Sequence, residues 1–200
     1  MTKTIEFYFD FSSPYGYFAS FKIDNLAKKF NRIAVWKPIL IGAAFQQTGA
    51  KPLADIPLKG DYCRMDWQRM SESMQVPWAL PDPFPIATTA PGRVYYWLAD
   101  QDAERAKAYA KAVYHAYFSE GHNISEPDVA VEIASQTGAD GEAVRTALQS
   151  DAVKERFTQE TNAAIALGVF GSPFIFVDGE GFWGSDRMWM IKKKLQESKW

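Results

Sequence analysis

Three short stretches place polar side chains where chemistry can happen. In FYFDFSSPYGYF, residues 7–18, an apolar strand pattern breaks at Ser12, Ser13 and Pro14, and a helical pattern follows. A hydroxyl at such a junction lies at a helix N-terminus, a place that favours negative charge. Ser13 has no useful acidity of its own, but it can donate a hydrogen bond to a thiolate brought in from outside. Equally, Ser12 and Ser13 can be plain helix caps. In GVFGSPFIFV, the tripeptide Gly171-Ser172-Pro173 stands directly before a strand-like run. In WGSDRM, residues 183–188, Ser185 and Asp186 open another helical pattern. There they can cap, or an acceptor side chain can hold an ammonium group while exposed backbone N–H groups hold a carboxylate.

The remaining composition narrows the field by exclusion. The chain has 200 residues, 47% of them hydrophobic and 23% charged, with a formal net charge of −2. Lys and Arg are dispersed, which leaves no electrostatic footprint for nucleic acid or an anionic membrane. The one basic run, residues 192–194, reads as a solvated helix face. No apolar stretch approaches the roughly 18 residues of a membrane span, and no basic-then-apolar leader opens the chain, so a cytoplasmic location is expected. Cys63 is the one cysteine, in KGDYCRMDW, and reads as a structural thiol with no intrachain disulfide to make. His115 and His122 have no metal-ligand spacing with each other or with Cys63, so no metal is expected. An aromatic content of 15% suits a large core or a pocket for a flat apolar ligand.

These stretches need elements to position them. Residues 4–11 alternate, with Ile5, Phe7, Phe9 and Phe11 on one side and Glu6, Tyr8 and Asp10 on the other, as in a strand. A helix from Pro14 and a second strand over 32–40 complete a β-α-β unit, hence a parallel pair. Residues 41–92 are rich in Pro and Gly, with a helical piece at 61–74, and 77–92 is expected to be mostly irregular. Helices follow at 103–118, at 125–137 (opened by Ser125-x-x-Asp128 as a capping-box variant), at 141–149 and at 151–167. FIFVDGEGFW is a hairpin signal, and a last helix follows GSDRM. The order β-α-β, helices, hairpin, helix predicts an α/β, thioredoxin-like sheet with a large helical insertion. The sheet domain would comprise 1–45 and 160–200, and the insertion 46–159. In that fold the Ser13–Gly16 position holds a C-x-x-C motif acidified by the helix end. The X-Pro before the strand is then cis, leaving the N–H and C=O of Ser172 to pair with an extended peptide. A trans proline at a strand start is the plainer alternative.

Taken together, FYFDFSSPYGYF, TGAKPLADIPLKGDY and GVFGSPFIFVDGEGFWGSDRM resemble the 2-hydroxychromene-2-carboxylate isomerases and kappa-class glutathione transferases, relatives of DsbA. The resemblance runs over nearly the whole chain. It implies glutathione as cofactor, a small aromatic substrate and a homodimer. Ser13 matches the serine that assists the thiol of bound glutathione, so the sulfur missing from the turn arrives with the ligand. Ser172, before Pro173, matches the residue whose backbone pairs with the cysteinyl part. Ser185 and Asp186 match residues at the γ-glutamyl end, and Lys59 a lysine near the glycine end. Thr48-Gly49-Ala50 departs from a frequent Thr-Gly-Asn, removing one side-chain hydrogen bond to glutathione. The implied reaction is addition of the thiolate to a conjugated enone, bond rotation and elimination, a net isomerisation. Tyr15, Trp67, Trp78 and Phe84 are candidate walls for the substrate, or equally core residues. The rival readings are a kappa-like transferase and a redox-inactive, DsbA-like peptide-binding module. A thiol–disulfide oxidoreductase is excluded by Ser13 and Gly16 at the active turn.

Overall fold

A computed structural model describes residues 3–197. The expected sheet domain's residues 1–2 and 198–200 lie outside the described residues. Four strands form one mixed sheet: β1 (Thr4–Phe9), β2 (Ile33–Pro38), β3 (Phe174–Val177) and β4 (Glu180–Trp183), in the order β2-β1-β3-β4. β1 runs parallel to β2 and antiparallel to β3, so Phe7 stands opposite Trp36 on one side and Ile175 on the other. Helix α1 (Pro14–Lys29) joins β1 to β2. It starts with proline at its first position and ends with Lys28 and Lys29 in the last turn, both suited to the helix dipole. Between β2 and β3 lie α2 (Ile41–Thr48), α3 (Lys59–Met74), α4 (Thr89–Ala99), α5 (Ala103–Phe118), α6 (Pro127–Gln136), α7 (Gly141–Gln149) and α8 (Asp151–Ala166); α9 (Met188–Glu197) closes the described chain.

The alternation over 4–11 gives a strand, but one that ends at Phe9 and is covered on both faces. Tyr8 is buried with Ile39, Ala164, Val169 and Phe174 under α8, so the supposed solvent face is a second, smaller core. On the main face Phe7, Phe9 and Trp36 pack edge-to-face and continue into α1, α4 and α5 as one apolar cluster. Helix α4 was not legible in the Pro-rich run. Pro91 occupies its third position, where no intrahelical N–H is needed, and Gly92 leaves room for the ring of Phe157. Its Tyr95 and Tyr96 hydroxyls donate to Trp36 O (2.8 Å) and Pro38 O (3.0 Å), satisfying carbonyls of an end strand. The Ser125 capping box does not form. Pro127 starts α6 with Glu126 at the cap, and Ser125 hydrogen-bonds Asn123 instead. In the hairpin, Asp178 (φ 51°) and Gly179 (φ 83°) make the two-residue turn, and Arg32 clamps the Asp178 carboxylate at 2.7 and 2.8 Å. Helix α8 runs unbroken through residue 160, the expected domain boundary.

Candidate active site

The site is built at the C-terminal end of β1, where Asp10 leaves the strand. Its carboxylate is 4% exposed. Oδ1 accepts from the Ser12 N–H (2.8 Å) and the Thr88 hydroxyl (2.9 Å), and Oδ2 from the Ile41 N–H (2.9 Å). Its backbone oxygen accepts from the Ser13 N–H and from the Tyr114 hydroxyl (3.1 Å), and its own N–H donates to Ser172 Oγ at 2.8 Å. One residue therefore ties together the starts of α1 and α2, the segment before α4, helix α5 and the segment before β3. Burial raises its pKa above the usual carboxylate value, opposed by the Ser12 and Ile41 amides and the Thr88 hydroxyl. The sequence signal was a lone Asp inside FYFDF, which period-2 alternation assigns to solvent.

Ser13 is the N-cap of α1. Its Oγ accepts from the Gly16 N–H (3.1 Å) and donates to the carbonyl of Ser172 at 2.9 Å. The Ser172–Pro173 bond is cis, and the Pro173 carbonyl accepts from the Gly184 N–H. Gly16 makes this closeness possible. A Cβ there would lie 2.5 Å from Tyr114 Oη and 3.2 Å from Ser172 Oγ. The place where a second cysteine would sit is filled by a tyrosine hydroxyl. Two N–H groups at this junction, of Tyr15 and Ser172, have no partner among the described residues. The Ser13 hydroxyl proton is committed to the Ser172 carbonyl, so the donors left at this helix N-terminus are the two amides, and Ser13 joins them only by turning its proton away from Ser172 O. Such a set fits a thiolate attached to a short peptide.

Sequence reasoning gave six site residues, and the structure brings three of them, Ser13, Ser172 and Pro173, into direct contact. Ser185 and Asp186 form, with Arg187, a 3-10 turn packed against α1. Neither side chain caps it; Asp186 pairs with Arg187, and Ser185 Oγ has no partner among the described residues. Lys59 opens α3, which also packs against α1; it is exposed and makes no hydrogen bond or ion pair with the other five. The four aromatic candidates do assemble. Tyr15 meets Trp67 edge-on (6.2 Å between centroids), and Trp67 meets Phe84 (5.5 Å) and Trp78 (5.9 Å). Trp67 is core, 2% exposed, while Tyr15, Trp78 and Phe84 are half-buried. Tyr15 and this aromatic group thus adjoin the Ser13 turn. Asp10, Thr88, Tyr114 and Asp66, the partner of the Tyr15 hydroxyl, were not foreseen.

A family model, the DSBA-like thioredoxin domain, matches residues 4–196. The chain belongs to that family. Within it, the chain is 30% identical over 197 residues to the 2-hydroxychromene-2-carboxylate isomerase of Sphingobium xenophagum, covering 98% of this chain and 99% of that one. It is 26% identical over 205 residues to glutathione S-transferase kappa 1 of Caenorhabditis elegans, covering 96% and 91%. A solved structure of 2-hydroxychromene-2-carboxylate isomerase superposes with a TM-score of 0.88 at 27% identity, covering 98% of this chain and 95% of that one. The thioredoxin-like fold expected from the element order is therefore the fold found, and these relatives are named as enzymes. Family members that exchange disulfides need thiols at the start of the first helix. This member has Ser13 and Gly16 there, and its one cysteine, Cys63, is buried on α3.

Proposed function

We propose that the protein is a cytoplasmic, homodimeric, glutathione-dependent isomerase of the 2-hydroxychromene-2-carboxylate type, interconverting the cyclic hemiketal and its open benzylidenepyruvate. The observation that carries this is the pair of unpartnered N–H groups, of Tyr15 and Ser172, flanking Ser13 at the head of α1, where the turn itself carries no thiol. Bound glutathione would supply the nucleophile that the chain lacks, a thiolate that adds to a conjugated enone and leaves again. The chain's own part is to bind and polarise. The head of α1 stabilises negative charge on sulfur, and the Ser13 hydroxyl adds to this by turning its proton from the Ser172 carbonyl to the sulfur, so the thiol pKa falls. The Ser172 backbone aligns the cysteinyl part, Ser185 and Asp186 the γ-glutamyl end, and Lys59 the terminal carboxylate. Ala50 contributes no side-chain hydrogen bond. Tyr15, Trp78 and Phe84, backed by the buried Trp67, offer an aromatic wall beside the sulfur for the substrate ring.

Calorimetric titration with glutathione, combined with ultraviolet detection of thiolate across pH, tests this reading. Wild type should bind glutathione and depress its thiol pKa; Ser13→Ala should raise that pKa by about one unit, equivalent to about 1.4 kcal/mol. No binding at millimolar glutathione would overturn the assignment and favour a peptide-binding module. The similarity to a kappa transferase supports a second reading, conjugation of glutathione to an electrophile at the same site. Stoichiometric loss of free thiol during turnover would establish conjugation; a constant thiol concentration would establish isomerisation.

A further inference from the structure

The hydroxyl of Tyr15 is not used by the proposed glutathione site, although the same residue's N–H belongs to it. Tyr15 is the second residue of α1, two after Ser13. Its side chain reaches away from the sheet to α3, where Oη donates to Asp66 Oδ2 at 3.0 Å and lies 3.9 Å from Cys63 Sγ. The other Asp66 oxygen is paired with Arg69 at 3.2 Å, which fixes the carboxylate from behind. A phenol has one proton, and here it is committed to Asp66. What the Tyr15 oxygen can offer a ligand is therefore lone pairs, made more basic by the carboxylate at its back. Burial, reinforced by Cys63 and Asp66, raises the Tyr15 pKa and keeps the group a neutral phenol. Behind the half-buried Trp78 and Phe84, Trp67 is core, and its indole N–H is enclosed without a hydrogen-bond partner among the described residues. What the side chains leave for a ligand here is therefore one acceptor, the Tyr15 oxygen, in an aromatic setting.

We infer that Tyr15, oriented by Asp66, is the specificity residue that accepts a hydrogen bond from the hydroxyl of an ortho-hydroxyaryl substrate lying against the half-buried Trp78 and Phe84. The inference rests on the isomerase reading for the identity of the substrate, and it extends that reading to the residue that selects it. A ligand carrying a second acceptor at this position, an ether or a carboxylate, faces the Tyr15 oxygen without a proton between them and is disfavoured. Asp66 is a positioning residue, because it acts only by fixing the direction of the Tyr15 proton. Sites built to hydrogen-bond a substrate hydroxyl reject analogues lacking it far more strongly than apolar pockets reject a missing methylene.

The test is calorimetric and contains no glutathione, so its failure is separate from failure of the cofactor assignment. Wild type, Tyr15→Phe and Asp66→Asn are titrated with trans-2-hydroxycinnamate, trans-cinnamate and trans-2-methoxycinnamate, inert relatives of the open substrate. Wild type should bind the hydroxy acid about tenfold more tightly than the other two, the size of one hydrogen bond. Tyr15→Phe should bind all three alike. Asp66→Asn should weaken the hold on the Tyr15 proton and move the preference toward the methoxy acid, a shift that a merely structural role would not produce. Equal affinities in wild type, no binding of any acid, or a preference that survives Tyr15→Phe would overturn the inference. Should Tyr15→Phe fail to fold, the direction of the Asp66→Asn shift decides the matter.

Discussion

Asp10 does more for the site than any residue that would touch a ligand, and it does so by making its hydrogen bonds inside the protein. An acidic side chain is needed because three donors converge on it: the Ser12 and Ile41 amides and the Thr88 hydroxyl. Asp10→Asn keeps the shape but brings an NH2 group against one of those donors, whichever way the amide is turned. The expected cost is about 1–3 kcal/mol, with Ser172 and Ser13 displaced and glutathione affinity reduced. Its pH dependence has a definite sign. The native pKa of Asp10 is raised above 3.8, so its contribution to stability is fully present below that value and is lost as pH rises through the higher native one. Asn does not titrate. The deficit of Asp10→Asn relative to wild type should therefore shrink from about pH 4 upward, as read by urea unfolding at a series of pH values. A deficit that grows with pH would mean that the three donors outweigh burial and hold the native pKa below 3.8.

At the scale of elements, the active turn is set by how closely α1 approaches α5. Gly16 and Tyr114 meet so tightly that the hydroxyl of one occupies the side-chain space of the other. Gly16→Ala should overpack this contact and cost about 1–3 kcal/mol. In a Tyr114→Phe background, which removes the obstructing oxygen and its bond to Asp10, the same substitution should cost at least about 1 kcal/mol less. A double-mutant cycle by denaturant unfolding reads that coupling; strict additivity would show that the backbone yields instead. The contact also explains the limits of reading this chain by pattern. Ser13, Ser172 and Pro173 stand out because the breaks from strand to helix and from loop to strand are local events, written in neighbouring residues. The hairpin and helices α5 and α7 are legible for the same reason, since caps, glycines and periodicity lie within each segment. Asp10, Thr88 and Tyr114 are not legible. Asp10 draws Ser12 from its own turn, but Ile41, Thr88, Tyr114 and Ser172 come to it from 31 to 162 positions away. Helix α4 failed differently, since Pro91 and Gly92 break helices in general but are harmless at a first turn packed on Phe157.

Over the described residues, the sheet takes strands from both ends of the chain, and the helices between them share its apolar core. A single apolar cluster includes Phe7, Phe9 and Ile175 of the sheet, Ile23 of α1, Trp67 of α3, Val94 of α4, Val113 of α5, Val131 of α6 and Phe157 of α8. Helix α8 contributes to both cores, Phe157 to the large one and Ala164 to the one around Tyr8. A sheet domain stripped of residues 46–159 would expose Phe9 and Trp36, and a helical block alone would expose the faces of α4 and α5 that cover them. Independent folding of the two expected parts is therefore disfavoured, and thermal unfolding should be one transition, with far- and near-ultraviolet circular dichroism coincident. The proposed glutathione site lies where β1, α1, α5 and the segment before β3 meet, so on that reading glutathione at a hundred times its dissociation constant should stabilise this single transition by about 2.7 kcal/mol. Two separable transitions, with only one moved by glutathione, would show that the helices form a unit of their own and that Asp10 and Tyr114 link two bodies rather than one.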